Sequence, residues 1–136
     1  MHVESNKALM RAFFDEVVNK RNYGLVEEIF SQWFIDHDLP VAPGPLGVRS
    51  TIETFVNAFP DMHVELKTLV GEGEFVGGSG MFTGTHLGEF MGMPATGRNG
   101  THGVNTFWRC DGGKAVEGWT SMDVFGILRN IGAFGV

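Results

Sequence analysis

The stretch FVNAFPDMHVELK, residues 55–67, contains the change of period on which the fold turns. Up to Phe59 the apolar residues Val48, Ile52, Phe55, Val56 and Phe59 recur three or four positions apart, the spacing of one helix face. Beyond Pro60, Met62, Val64 and Leu66 alternate with His63, Glu65 and Lys67, the two-residue repeat of a strand with one covered face. Because Pro60 cannot continue a helix, the pattern predicts a helix over about 48–59 and a strand immediately after it. The chain before this point reads as helical, the chain after it as sheet.

Working toward the N-terminus, Leu9, Met10, Phe13, Phe14, Val17 and Val18 predict an amphipathic helix over roughly 5–19, with Ser5 as its cap. Asn22 is placed to cap a second helix whose buried stripe includes Val26, Ile29, Phe30 and Trp33. The segment DHDLPVAPGPLG, residues 36–47, carries three prolines and two glycines and breaks the helical run. Working toward the C-terminus, Phe75 through Thr83 reads as a second strand in which Gly77, Gly78 and Gly80 mark a sharp bend or bulge. A glycine-rich loop follows over 84–98. A third strand, about 99–110, turns through DGG at 111–113 into a fourth over 114–122. Helices followed by an antiparallel meander define an α+β class in which helices cover one face of a curved sheet.

The 136 residues fit one domain, 1–136, and 43% hydrophobic content with 12 Phe supplies a sizeable core. Ten Lys and Arg against 16 Asp and Glu give a net charge of −6 with the basic residues scattered, which argues against a nucleic-acid groove or a polybasic membrane patch. Cys110 is the single cysteine, so neither an intramolecular disulfide nor a multi-cysteine metal site is available. No apolar run approaches the ~20 residues of a membrane span, and the N-terminus lacks a signal-peptide core. The expectation is a soluble cytoplasmic protein. The glycines do not fall in a phosphate-cradle order, and no metal-ligand spacing links the five histidines.

Among the polar residues, Asp123 is the principal acid–base candidate. On the fourth strand Glu117, Trp119, Ser121 and Asp123 share one side, and Val116, Gly118, Thr120 and Met122 the other. Neither side is cleanly apolar, so the pattern leaves open which one faces inward. With the Trp119 side inward, Asp123 stands at the rim of a concavity beside an aromatic wall, where burial raises a carboxyl pKa toward useful basicity. The alternative is that Asp123 caps the short segment VFGILRN. His102 shares strand parity with Val104, Thr106, Trp108 and Cys110 and is a candidate partner; His37 and His86, in loop segments, are further candidates. His2 and His63 read as solvent-facing. Candidate substrate contacts are Trp33, Phe55, Phe59, Phe90, Met93, Trp108 and Trp119. The loop over 84–98 is expected to cover or line the pocket entrance.

The ordered set DHDLP (36–40), PGPLG (43–47), FVNAFPDMHVE (55–65), GTHLGEFMGMPATGR (84–98) and GKAVEGWTSMD (113–123) resembles the SnoaL-like polyketide cyclases, or ester cyclases, of the nuclear transport factor 2 and ketosteroid-isomerase superfamily. The resemblance implies a cone-shaped sheet around a hydrophobic pocket, a dimer or other homo-oligomer, a hydrophobic small-molecule ligand, and no metal or organic cofactor. It also implies that Asp123, the aspartate of W-x-x-x-D, is the acid–base residue of an intramolecular aldol closure of a polyketide-like ester. Related isomerase, dehydratase or hydrolase chemistry, or noncatalytic binding or assembly, are the alternatives. The ending GILRNIG departs from the usual GLLxQLG, and Gly118 stands where relatives often carry a side chain.

Overall fold

The computed structural model describes residues 2–135. Helix α1 (Val3–Ala12) runs directly into a π-helical stretch, Phe13–Val18, so the first helical layer covers nearly the predicted span. Its start differs: Ser5 lies inside α1 and its hydroxyl donates to the His2 carbonyl at 3.0 Å instead of capping the helix. The wider π turn brings the adjacent rings of Phe13 and Phe14 to one internal wall, together with Val18.

The second predicted helix is mostly strand. After a 3₁₀ turn at Tyr23–Leu25, α2 occupies only Val26–Ile29, and Phe30–Asp36 forms β1. The stripe that reads as helical continues as an extended segment because β1 pairs in parallel with the last strand, an interaction with no local sequence signal. Val26, Ile29 and Phe30 are buried as expected, whereas Trp33 is 74% exposed.

Helix α3 spans Gly44–Ala58 and begins earlier than the apolar period indicates. Pro43 precedes it in an extended conformation and Pro45 sits in its first turn, where a missing N–H has no helical bond to lose. Gly47 allows the incoming chain to cross this turn: a Cβ there would stand 1.7 Å from the Ala42 carbonyl oxygen.

The sheet consists of β1, β2 (His63–Glu72), β3 (Phe75–Thr85), β4 (Asn99–Asp111) and β5 (Lys114–Met122), in the order β1-β5-β4-β3-β2. All pairs except β1–β5 are antiparallel. The glycines of β3 do not interrupt its pairing with β4, which is continuous from Phe75–Arg109 to Thr85–Asn99. They make room instead. Gly78 lies under Met10 of α1, and Gly80 passes the Glu65 carbonyl beside an irregularity between Leu66 and Thr68 in β2. The helices pack against the concave face of this curved sheet, and a short α4 (Val124–Asn130) closes one end against β4. No helix among the described residues is long and apolar enough to cross a membrane.

Candidate active site

Between the helices and the sheet lies a cavity of about 110 Å³. Phe13, Phe14 and Val18 form its helical roof, Val48, Ile52 and Phe55 of α3 a second side. Phe30, Phe34 and Trp108 supply a wall of rings packed edge to face: Phe30 is 4.8 Å from Phe34 and 5.0 Å from Trp108, both at 69°. Such contacts fix ring orientation as well as burying area. Met62, Val64, Phe82, Val104 and Met122 complete the apolar lining.

The polar part of the wall comes from three strand residues and from Thr51 of α3. Cα pairing sets Asp36 of β1 opposite Gly118 and Thr106 of β4 opposite Thr120 of β5. The Thr120 hydroxyl donates to Asp36 Oδ2 at 2.6 Å, and Thr106 Oγ1 lies 3.3 Å from Thr120 Oγ1. The other Asp36 oxygen accepts from the Asp38 N–H at 2.9 Å, which turns the chain away from β1 at the mouth. Leu39, Val41 and Ala42 of the following segment line that mouth. Among the described residues, Asp36 is the only ionisable side chain lining the cavity.

These placements settle which side of β5 faces inward. Thr120 and Met122 line the cavity, and Gly118 packs beneath Phe34 and Trp108. Glu117 and Trp119 therefore face outward, so Trp119 is not a cavity residue. Its ring stacks 5.1 Å from His37, whose Nε2 is 2.8 Å from Glu117 Oε2. Arg109 also pairs with Glu117; its hydrogen bond first, then that of His37, hold the Glu117 carboxyl below the usual range. Trp33 is exposed and likewise absent from the lining.

Asp123 occupies the capping position. Its Oδ1 accepts from the Gly126 N–H at 2.8 Å, it is exposed, and it lies outside the residues lining the cavity. His102 is buried with its ring 4.5 Å from Phe82; Nδ1 donates to the Gly103 carbonyl at 3.0 Å and Nε2 has no partner among the described residues. Burial lowers its pKa, opposed by the Gly103 hydrogen bond and the charge of Asp123. Phe82 lines the cavity whereas His102 does not.

The loop over 84–98 is folded down on the end of α3, away from the cavity lining. Leu87 and Gly88 donate to the Ala58 carbonyl at 3.0 and 3.1 Å, and a Cβ on Gly88 would stand 2.0 Å from the Asn57 oxygen. His86 is fully buried beneath this loop, its Nδ1 accepting from the Thr96 N–H at 3.2 Å. Phe59, Phe90 and Met93 belong to the packing around it, behind the cavity wall. Of the sequence-predicted substrate contacts, Phe55 and Trp108 line the cavity. The segment at its mouth is 39–42, not 84–98.

Asp36, Thr106 and Thr120 escape selection from the sequence. The available signal is parity: Thr106 is two residues from Trp108 on one strand, and Thr120 two from Gly118 on its partner. Asp36 has no such signal because the sequence reads Phe30 and Trp33 as a helix stripe and Asp36 as the start of the proline-rich segment that breaks it, not as the end of a strand.

A helix-covered, strongly curved sheet closing on a ring-lined cavity with one carboxylate defines a small-molecule pocket protein of the cone-fold class. The chain belongs to the SnoaL-like polyketide cyclase family, whose model matches residues 8–131. Among solved structures it is similar to TsrD from Streptomyces laurentii, with 25% identity over 96% of this chain and 97% of that one and a TM-score of 0.88. IdmH from Streptomyces antibioticus is 25% identical over 93% and 98% of the two chains, with a TM-score of 0.78. A SnoaL-like polyketide cyclase from Agrobacterium tumefaciens strain C58, 20% identical over 93% and 98%, has a TM-score of 0.77 and shares the fold. No curated protein is significantly similar in sequence.

Proposed function

We propose that the protein catalyses acid–base chemistry on a small hydrophobic carbonyl compound, with Asp36 as the proton-transferring group. The observation that carries this reading is that, among the described residues, Asp36 is the only ionisable side chain on the wall of a mostly apolar cavity. In an intramolecular aldol closure, Asp36 removes a proton from a carbon flanked by carbonyls. The resulting enolate carbon forms a bond to a second carbonyl of the same molecule, and the protonated carboxyl returns its proton to the new alkoxide. The aromatic walls hold the two ends together, giving the reaction its intramolecular advantage.

A second reading follows the family resemblance to Asp123. It is favoured by the Nε2 of His102, unpartnered among the described residues, on a ring within the electrostatic reach of Asp123 and tilted against Phe82 at the cavity wall. The two readings separate in one experiment. Enolisable β-keto esters are incubated with the protein in D2O, and deuterium incorporation and cyclised product are followed by NMR. Asp36→Asn is expected to lower the rate by about 10²–10⁴-fold while Asp123→Asn retains it. The reverse pattern moves the role to Asp123. Binding without exchange or product in the wild type overturns catalysis in favour of a carrier.

The reading extends to a homodimer through the outer face of the sheet. Trp33, Ile35, Phe75 and Phe107 are exposed there, and the Phe75, Phe107 and Trp119 rings follow one another at 5.6 and 6.1 Å. A contiguous aromatic patch of this kind suits a self-complementary interface.

A further inference from the structure

The direction of the hydrogen bonds along the cavity wall restricts what can bind. The Thr120 hydroxyl has one proton, and it is donated to Asp36 Oδ2 at 2.6 Å. The 3.3 Å contact between Thr106 and Thr120 is therefore made with the Thr106 proton. Thr51, also on the wall, donates its proton to the Gly47 carbonyl at 2.9 Å. All three hydroxyl protons are committed within the protein. The oxygens of Thr106 and Asp36 retain accepting capacity, and the Trp108 indole is the only side-chain N–H among the lining residues. No cationic side chain among the described residues lines the cavity.

Size adds a second restriction. A cavity of about 110 Å³ is on the scale of the engineered apolar cavity of ~150 Å³ that accepts benzene. It holds one ring, with any longer part of a ligand extending through the mouth beside Asp36 and Leu39. The rings of Phe30, Phe34 and Trp108 suit a flat partner.

We propose that the part of the ligand held inside this cavity is a single ring or similarly compact enol bearing a hydroxyl, and that this hydroxyl donates into the acceptor end of the Thr106–Thr120–Asp36 chain. The inference rests on the reading of this cavity as the functional site and specifies the chemical group that it selects. Ligands offering only acceptors meet the oxygens of Thr106 and Asp36 without a proton to share, and purely apolar rings leave those oxygens desolvated and unpaired.

Phenol, toluene and benzaldehyde test this, because phenol and toluene differ by a hydroxyl in place of a methyl of similar size. Dissociation constants are measured by titration of amide and indole resonances in the full chain. Phenol is expected to bind about tenfold more tightly than toluene and benzaldehyde, the worth of one buried hydrogen bond. In Asp36→Asn the ratio of phenol to toluene affinity is expected to fall to about twofold while toluene binding persists. Thr120→Val, which frees the Thr106 proton, is expected instead to keep the phenol preference and to tighten benzaldehyde binding. Equal affinity for phenol and toluene in the wild type overturns the hydroxyl selection and leaves the cavity as a binding site. Tighter binding of benzaldehyde than of phenol by the wild type overturns it in favour of donation from Trp108. Failure of all three to shift cavity resonances overturns both this inference and the functional reading beneath it. A three-ring phenol binding as a wholly enclosed ligand overturns the size restriction.

Discussion

The side-chain amide of Asn19 pairs with the backbone of Val64 as a strand would, donating to its carbonyl at 2.8 Å and accepting from its N–H at 2.8 Å. Val64 is buried and belongs to edge strand β2, so a residue beyond the π-helical stretch satisfies backbone groups that no neighbouring strand reaches. Asn19→Ala removes both bonds and is expected to destabilise the fold by about 2 kcal/mol. Urea unfolding measures the loss; an unchanged midpoint shows that water replaces the amide without cost.

Gly118 lies under the ring wall, where an added Cβ would stand 2.9 Å from Phe34 Cζ and 3.1 Å from Trp108 Cδ1. Gly118→Ala is expected to cost about 1–3 kcal/mol by overpacking. It also displaces Phe34 or Trp108, so ligand affinity falls with stability. A variant with wild-type thermal stability and affinity contradicts the close packing of this wall.

Acid weakens the fold through His102. Burial sets its folded pKa below the usual histidine value, so the unfolded chain binds the proton first as pH falls. The stabilising contribution is present above the unfolded pKa of about 6.5 and is lost as pH falls through the lower folded value. Urea midpoints from pH 7.5 to 5 are expected to decline, and His102→Asn to flatten the decline. A wild type and variant with parallel pH profiles exclude His102 as its source.

Asp123 holds the first turn of α4. Asp123→Ala is expected to cost about 1 kcal/mol, and Asp123→Asn less, because asparagine also caps. Thermal or urea unfolding of both variants reads the difference; identical stability of all three proteins shows that the Gly126 hydrogen bond contributes nothing net.

The outer sheet face predicts the oligomeric state. Sedimentation of the wild type is expected to show a dimer, and the pair Trp33→Lys with Phe107→Lys a folded monomer. A wild type that sediments as a monomer over a wide concentration range removes the dimer from the proposal.

The architecture is visible in the sequence where local pattern and tertiary demand agree. The helical stripe ending at Phe59, the alternation from Met62 to Leu66 and the DGG turn all survive in the folded chain. Phe30–Asp36 does not, because its extended conformation comes from parallel pairing with residues some 80 positions later. That single misreading also conceals the site: with Trp33 on a helix stripe, Asp36 has no face. The parity argument on β5 identifies two coherent sides without distinguishing them, since Gly118 and Thr120 look no more internal than Trp119 until Phe34 is seen packed over Gly118. The glycines over 84–98 signal irregular backbone correctly, but close approach to the end of α3, not mobility over a pocket, is what the fold uses them for.

The pairing of β1 with β5 has a further consequence for how the protein is made. Of the five strands of this sheet, the carboxylate belongs to the first in chain order, while the hydroxyl that orients it belongs to the last. Closing so long a loop is entropically delayed relative to the local hairpins. The meander can therefore assemble before the cavity has its polar wall, and ligand competence is acquired only when β5 zips against β1. A bound ligand bridging Asp36 and Thr106 would favour this last step, coupling the completion of folding to the presence of the compound that the cavity receives.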